Sequence, residues 1–200
     1  MRNYNKRYFY CDFSVCILFT GVKRMEKITV SEIEGNISLK IVCNPAGTGK
    51  CTGFEDTFVK EAMTTLAQNA EIDLEVQTDT DRAIENREQY MKLLGKILAQ
   101  IICKRCETQG QYRGVGRAQN EQSDKECLCE LYLPGRVDWV YEVITQNCVQ
   151  DKYGTSVFFK SIAENAKLRL KLRVWDYTRK NSLGLFEVFG KSLKMAFSAM

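Results

Sequence analysis

The chain has 200 residues, a net charge of +4, 44% hydrophobic and 27% charged side chains, nine cysteines and no histidine. This composition excludes an intrinsically disordered chain, and the missing histidine excludes Ser-His-Asp and Cys-His catalysis and every histidine metal site. No apolar run reaches the roughly 18–20 residues that span a bilayer, so no membrane partner is expected. An odd number of cysteines without a convincing export signal predicts reduced thiols and a cytoplasmic location.

Charge is unevenly spread. Residues 51–90 net −7 and residues 152–180 net +6. The two stretches either pair within the molecule or present one charged surface to a partner.

Residues 1–24 are basic and aromatic with no clear period, and read as an extension, disordered or not native, with Met25 a candidate natural start. From residue 25 to 200 the chain reads as a single domain. Lys27 to Ile33 and Ile37 to Cys43 predict strands joined by Glu34-Gly35-Asn36, a hairpin signal. Phe54 to Ala70 predicts a helix, and Ile72 to Val76 a short strand. Residues 81–102 carry the strongest helical stripe: Tyr90, Met91, Leu94, Ile97, Leu98, Ile101 and Ile102. Residues 107–126 have no apolar period and predict an exposed loop. Cys127 to Leu133 and Val137 to Thr145 predict a second hairpin around Pro134-Gly135.

Ser156 to Ala166 predicts a helix that leads into KLRLKLRVWD, residues 167–176. There Leu168, Leu170, Leu172 and Val174 alternate with cations, the mark of a half-buried strand. A last amphipathic helix carries Leu185, Phe186, Phe189, Leu193, Phe197 and Met200, a surface for docking on the sheet, for another protein or for a second copy. No internal repeat is visible. Strands outnumber crossover helices and two hairpins are signalled. The fold class is therefore α+β, a mainly antiparallel sheet built from two hairpins plus further strands and packed by about four helices.

Three candidate sites emerge. Cys103 and Cys106 are followed by Cys127 and Cys129, two pairs separated by a loop, as a tetrahedral zinc site requires. Buried thiols, with Cys127 and Cys129 sharing one face of a strand, and disulfide or redox use are the alternatives. The second candidate is the row Lys167, Arg169, Lys171 and Arg173, whose roughly 7 Å spacing in a strand approximates that of phosphates along a single nucleic-acid strand. An ordinary solvated face, or pairing with the acidic segment 55–88, is the alternative.

The third is Asn44-Pro-Ala-Gly-Thr-Gly-Lys-Cys-Thr52, between a strand and a helix. It resembles the phosphate-binding loop of P-loop nucleotide-binding proteins. The resemblance implies Gly47 and Gly49 as loop glycines, Lys50 as the phosphate lysine and Thr52 as the hydroxyl. A Gly/Pro turn is the alternative.

The residues together predict a small cysteine-rich binding protein, zinc-stabilised, touching nucleic acid or another acidic partner through its basic strand. A nucleotide-binding protein and a ligand-free structural or interaction domain are the competing readings.

Overall fold

The computed structural model describes residues 26–78, 86–109, 113–119, 126–132, 137–144 and 150–198. The readings for residues 1–24 and the Met25 start lie outside them. Among the described residues the chain forms an α+β fold with four helices and two mainly antiparallel sheets.

The first half runs β1 (Ile28–Glu34), β2 (Ile37–Asn44), β3 (Cys51–Thr52), α1 (Thr57–Ala70), β4 (Asp73–Thr78) and α2 (Arg87–Gln109). The second half runs β5 (Arg113–Gln119), β6 (Glu126–Tyr132), β7 (Asp138–Val143), α3 (Thr155–Asn165), β8 (Arg169–Val174) and α4 (Arg179–Ser198). The sheets have the same order, β1-β2-β4-β3 and β5-β6-β8-β7. In each, the first three strands in that order pair antiparallel, and the strand before the first helix joins the edge parallel to the strand after it.

The repeat extends to the turns. At the end of α1, Glu71 is left-handed (φ 54°) and the Ile72 N–H reaches the Ala67 carbonyl; at the end of α3, Lys167 is left-handed (φ 49°) and the Leu168 N–H reaches the Ala163 carbonyl. Both are six-to-one closures that satisfy orphan helix carbonyls. The molecule is therefore an internal duplication in structure, although its sequence shows no repeat. Backbone hydrogen bonding is kept where side chains have diverged.

The halves meet through their helices. Helix α2 packs on α3 and α1 on α4, with α2 lying on β1 and α4 on β5 and β6. The stripe Tyr90, Met91, Leu94, Ile97, Leu98, Ile101 and Ile102 is at most 3% exposed, and Leu185, Phe186, Phe189 and Leu193 of α4 are buried with it. Thus α4 docks on its own molecule with that face. Phe158, Phe159, Phe186 and Phe189 form an aromatic cluster between the layers, with neighbouring centroids 5.0–5.2 Å apart.

The first hairpin forms as expected, with Gly35 at φ 62° in its tight turn. The second does not. β6 pairs with β5 and β8, and β7 joins β8 in parallel, so β6 and β7 are not neighbours. The partner of β6 lies within the stretch expected to be loop. Arg113-Gly-Val-Gly-Arg-Ala-Gln119 is strand β5, where Gly116 lies so close to α4 that a Cβ would collide with the Ser192 carbonyl oxygen. Gly116 at a helix crossing reads as loop in sequence and as close approach in structure.

Candidate ligand cleft

All four helices run in the same direction, and their N-termini gather at one end of the molecule. Between α1 and α2 the contact is Asp56 to Arg87, and between α1 and α4 it is Arg179 to Glu61, at 2.5 Å. Between α2 and α3, Gly154 packs against Met91 and the Ser161 hydroxyl donates to the Lys92 carbonyl. Tyr153, just before α3, stacks on Phe58 of α1 with centroids 4.3 Å apart. Four parallel macrodipoles make this end electropositive.

A cleft of about 490 Å³ opens here, lined by Arg87, Glu88, Asp151, Lys152 and Ser156 among others. Asp56 lies behind it with a nearly buried side chain. Its Oδ1 caps α1 by accepting the Val59 N–H at 2.9 Å, and its Oδ2 accepts Arg87 Nη2 at 2.6 Å. Burial works to raise the Asp56 pKa. The Val59 N–H and the Arg87 guanidinium outweigh it and hold the carboxyl below its usual value. Nearby Tyr90 is pushed up by burial and by the charges of Asp56 and Glu55. In the second half Asp151 plays the capping part for α3, accepting the N–H groups of Tyr153, Thr155 and Ser156 and the Ser156 hydroxyl.

Among the described residues the cleft offers no ligand set for a transition metal. The chain has no histidine, and among the described residues no three cysteines or carboxylates gather as a ligand set. Its two inner carboxylates are committed to helix caps.

The residues singled out by sequence lie elsewhere. Cys103 and Cys106 are on α2, half-buried and fully buried, and burial pushes the Cys106 thiol up to about 11. Register places Cys127 and Cys129 opposite Leu172 and Leu170, in rows whose β8 members are core, and their side chains lie outside the described set. The β8 alternation is as expected, with Arg169, Lys171 and Arg173 exposed and Leu170, Leu172 and Val174 buried. Its cations are not a bare row. Arg169 pairs with Asp138 and Arg173 with Glu142, both at 2.9 Å and both across the parallel β7–β8 register. Lys167 is in the left-handed turn before the strand.

The nucleotide-like loop holds an anion of its own. The Asp73 carboxylate accepts the Thr48 N–H at 2.7 Å, the Lys50 N–H at 3.0 Å and the Asn44 amide at 3.1 Å. A Cβ at Gly47 would collide with Asp73, and Gly49 is at φ 89°. The N–H groups that would cradle a phosphate are closed on β4, and Thr52 is in β3. Arg87, Glu88, Asp151 and Lys152 of the cleft, and Asp56 behind it, were not singled out in sequence. Asp56 and Asp151 carried a signal, an acid just before a helical run. Arg87 and Lys152 carried none.

The fold and cleft define a duplicated α+β protein of sheet–helix–helix–sheet type with a polar cleft at the helix starts. Comparisons give this architecture its relatives. The fold is that of the imidazoleglycerol-phosphate dehydratase from Staphylococcus aureus, with a TM-score of 0.60 and 14% identity over 86% of this chain and 99% of that one. The Pyrococcus furiosus enzyme, solved in complex with (S)-C348, gives 0.62 and 14% over 84% and 93%. In sequence, the imidazoleglycerol-phosphate dehydratases of Synechococcus elongatus and of another Synechococcus strain are each 29% identical over 182 residues, covering 84% of this chain and 83% of theirs. No family model matches.

These relatives overturn the expected function. The zinc-stabilised nucleic-acid binder, the P-loop protein and the ligand-free domain all give way to a relationship with a dehydratase. The physical reasons are the acids beside the β8 cations, the Asp73 carboxylate inside the glycine loop and, among the described residues, the absence of a metal-ligand group. None of the helices among the described residues is long and apolar enough to cross a membrane.

Proposed function

We propose that the protein is a divergent, imidazoleglycerol-phosphate dehydratase-like protein that binds a small phosphorylated polyol in the cleft at the helix starts. The extent of the match carries this reading. Similarity runs through both halves, over 84% of the chain and 83% of the cyanobacterial relatives, and does not rest on one motif. We place the protein in the cytoplasm, where the free thiols Cys43, Cys51, Cys103 and Cys106 stay reduced.

Dehydrating a polyol removes a proton from one carbon and a hydroxyl from its neighbour, and each departure needs a base or an acid within reach. With no histidine in the chain, those tasks fall to carboxylates or to lysine. Glu88 is the carboxylate on the cleft wall that caps no helix and is the base this reading selects.

A second reading, binding without turnover, is favoured by a specific observation. Asp56 and Asp151 are both tied into helix caps and the chain lacks histidine, so few groups remain to move protons. One experiment separates the two. Purified protein is given imidazoleglycerol phosphate, with and without added divalent cations; loss of water is followed by mass spectrometry and binding by calorimetry. Turnover that falls in Glu88→Gln supports the first reading, and binding without turnover supports the second. Neither turnover nor binding sinks both.

A further inference from the structure

We propose that Arg87 and Lys152 form an oxyanion subsite in the cleft, where the phosphate or a carboxylate of the ligand is held. The inference rests on the ligand reading above for there being a ligand at all. Its position comes from the residues themselves.

A guanidinium offers five N–H donors in a planar fork. Arg87 gives Nη2 to Asp56 at 2.6 Å and Nη1 to the Lys152 carbonyl at 3.5 Å. Its Nε is buried away from the cleft, so the donors left over are the second N–H of each Nη. The charge is therefore fixed in place by Asp56 while donors remain for an incoming oxygen. Such an arginine is preorganised, because binding need not order it further. Lys152 lines the same cleft from the loop before α3, tied to Arg87 through its own carbonyl.

The carboxylates nearby oppose an anion less than their number suggests. Asp56 is neutralised by Arg87 and the Val59 N–H. Asp151 is neutralised by three N–H groups and a hydroxyl at the start of α3. Glu88 is the lining carboxylate left to repel an anion, and it sets the affinity ceiling. The helix dipoles add to Arg87 and Lys152.

Calorimetry on the full chain tests the assignment, using inorganic phosphate, glycerol phosphate and glycerate as probes. Lys152→Gln is expected to weaken anion binding about ten-fold, the usual scale for losing a charge-assisted hydrogen bond. Because Arg87→Gln alone would strand Asp56, the Arg87 arm uses the double variant Asp56→Asn with Arg87→Gln, which keeps a side-chain cap on α1 and leaves no buried charge unpaired. It is expected to abolish binding. Glu88→Gln is expected to tighten binding a few-fold. A preference for glycerol phosphate over glycerate assigns the ligand group as a phosphate, and the reverse as a carboxylate; either supports the subsite. Anion affinity unchanged in both the Lys152 and the double variant overturns it. If imidazoleglycerol phosphate still binds those variants as it binds the parent, only the subsite falls. If the parent binds neither the probes nor imidazoleglycerol phosphate, the ligand reading falls with it.

Discussion

The first half of the molecule caps its leading helix with Asp56 and ties that cap to Arg87 of the following helix. The second half caps its leading helix with Asp151, which spends its oxygens on three N–H groups and a hydroxyl of its own segment. The strand order and the left-handed helix exits are the same in both. What differs is whether the carboxylate reaches a second helix. Backbone closures are demanded by every helix end and tolerate many sequences. Side chains at the helix starts are free to diverge, and the cleft has formed where they did.

The largest expected effect breaks that difference. Arg87→Ala leaves a nearly buried Asp56 without its counter-charge. Full burial of such a pair would cost about 3–5 kcal/mol, and the partly exposed Arg87 lowers the expectation to about 2–3 kcal/mol. Asp151→Ala, losing only a cap, should cost about 1–2 kcal/mol. Urea unfolding of both variants checks the order, and equal losses would mean that Arg87 adds nothing beyond the cap.

Next is Gly116→Ala, which drives a methyl group into the Ser192 carbonyl where β5 meets α4. Overpacking of this kind costs about 1–3 kcal/mol. A melting temperature unchanged by the substitution would show that β5 does not lie against α4.

The two caps should also differ with pH. The folded Asp56 pKa is depressed from its ordinary 3.8. Its contribution is therefore complete above about pH 4–5 and is lost as pH falls through the folded value. Asp56→Asn should be less stable than the parent at neutral pH and should lose less on going from pH 6 to pH 3. Parallel melting curves for the two proteins across that window would remove the ion pair from the account.

Much of this architecture was legible in the sequence. The α2 stripe, the first hairpin and the β8 alternation each depend on neighbours within a few residues, where period and turn chemistry speak directly. In the second half the elements other than β5 were legible, but the strand pairing was not, because it is long-range. β6 finds β8 across a helix, and Gly116 of β5 makes sense only against α4. The basic row was legible as a strand face but its acidic partners were not, because Glu142 lies 31 residues before Arg173. The cleft was missed for the same reason: Arg87 is 31 residues from Asp56 and 65 from Lys152. No local pattern encodes such a meeting.

The smallest expected effect tests the part of the comparison where the halves agree. Glu71 and Lys167 are left-handed at matching helix exits, a conformation that costs a non-glycine residue roughly 1–2 kcal/mol. Glycine removes that cost but adds about 0.5–1 kcal/mol of unfolded-chain entropy. Lys167→Gly should therefore gain roughly 0.5–1 kcal/mol. Glu71→Gly gains the same backbone relief but gives up an exposed ion pair to Lys194, worth about 0–1 kcal/mol, so it should gain less. At high salt the ion pair is screened and the two gains should converge. Convergence would establish that the exits are equivalent backbone solutions differing only in a surface charge. A Lys167→Gly variant that melts lower than the parent would mean that the turn is held by contacts of the lysine side chain, and the equivalence of the halves would then stop at their strand order.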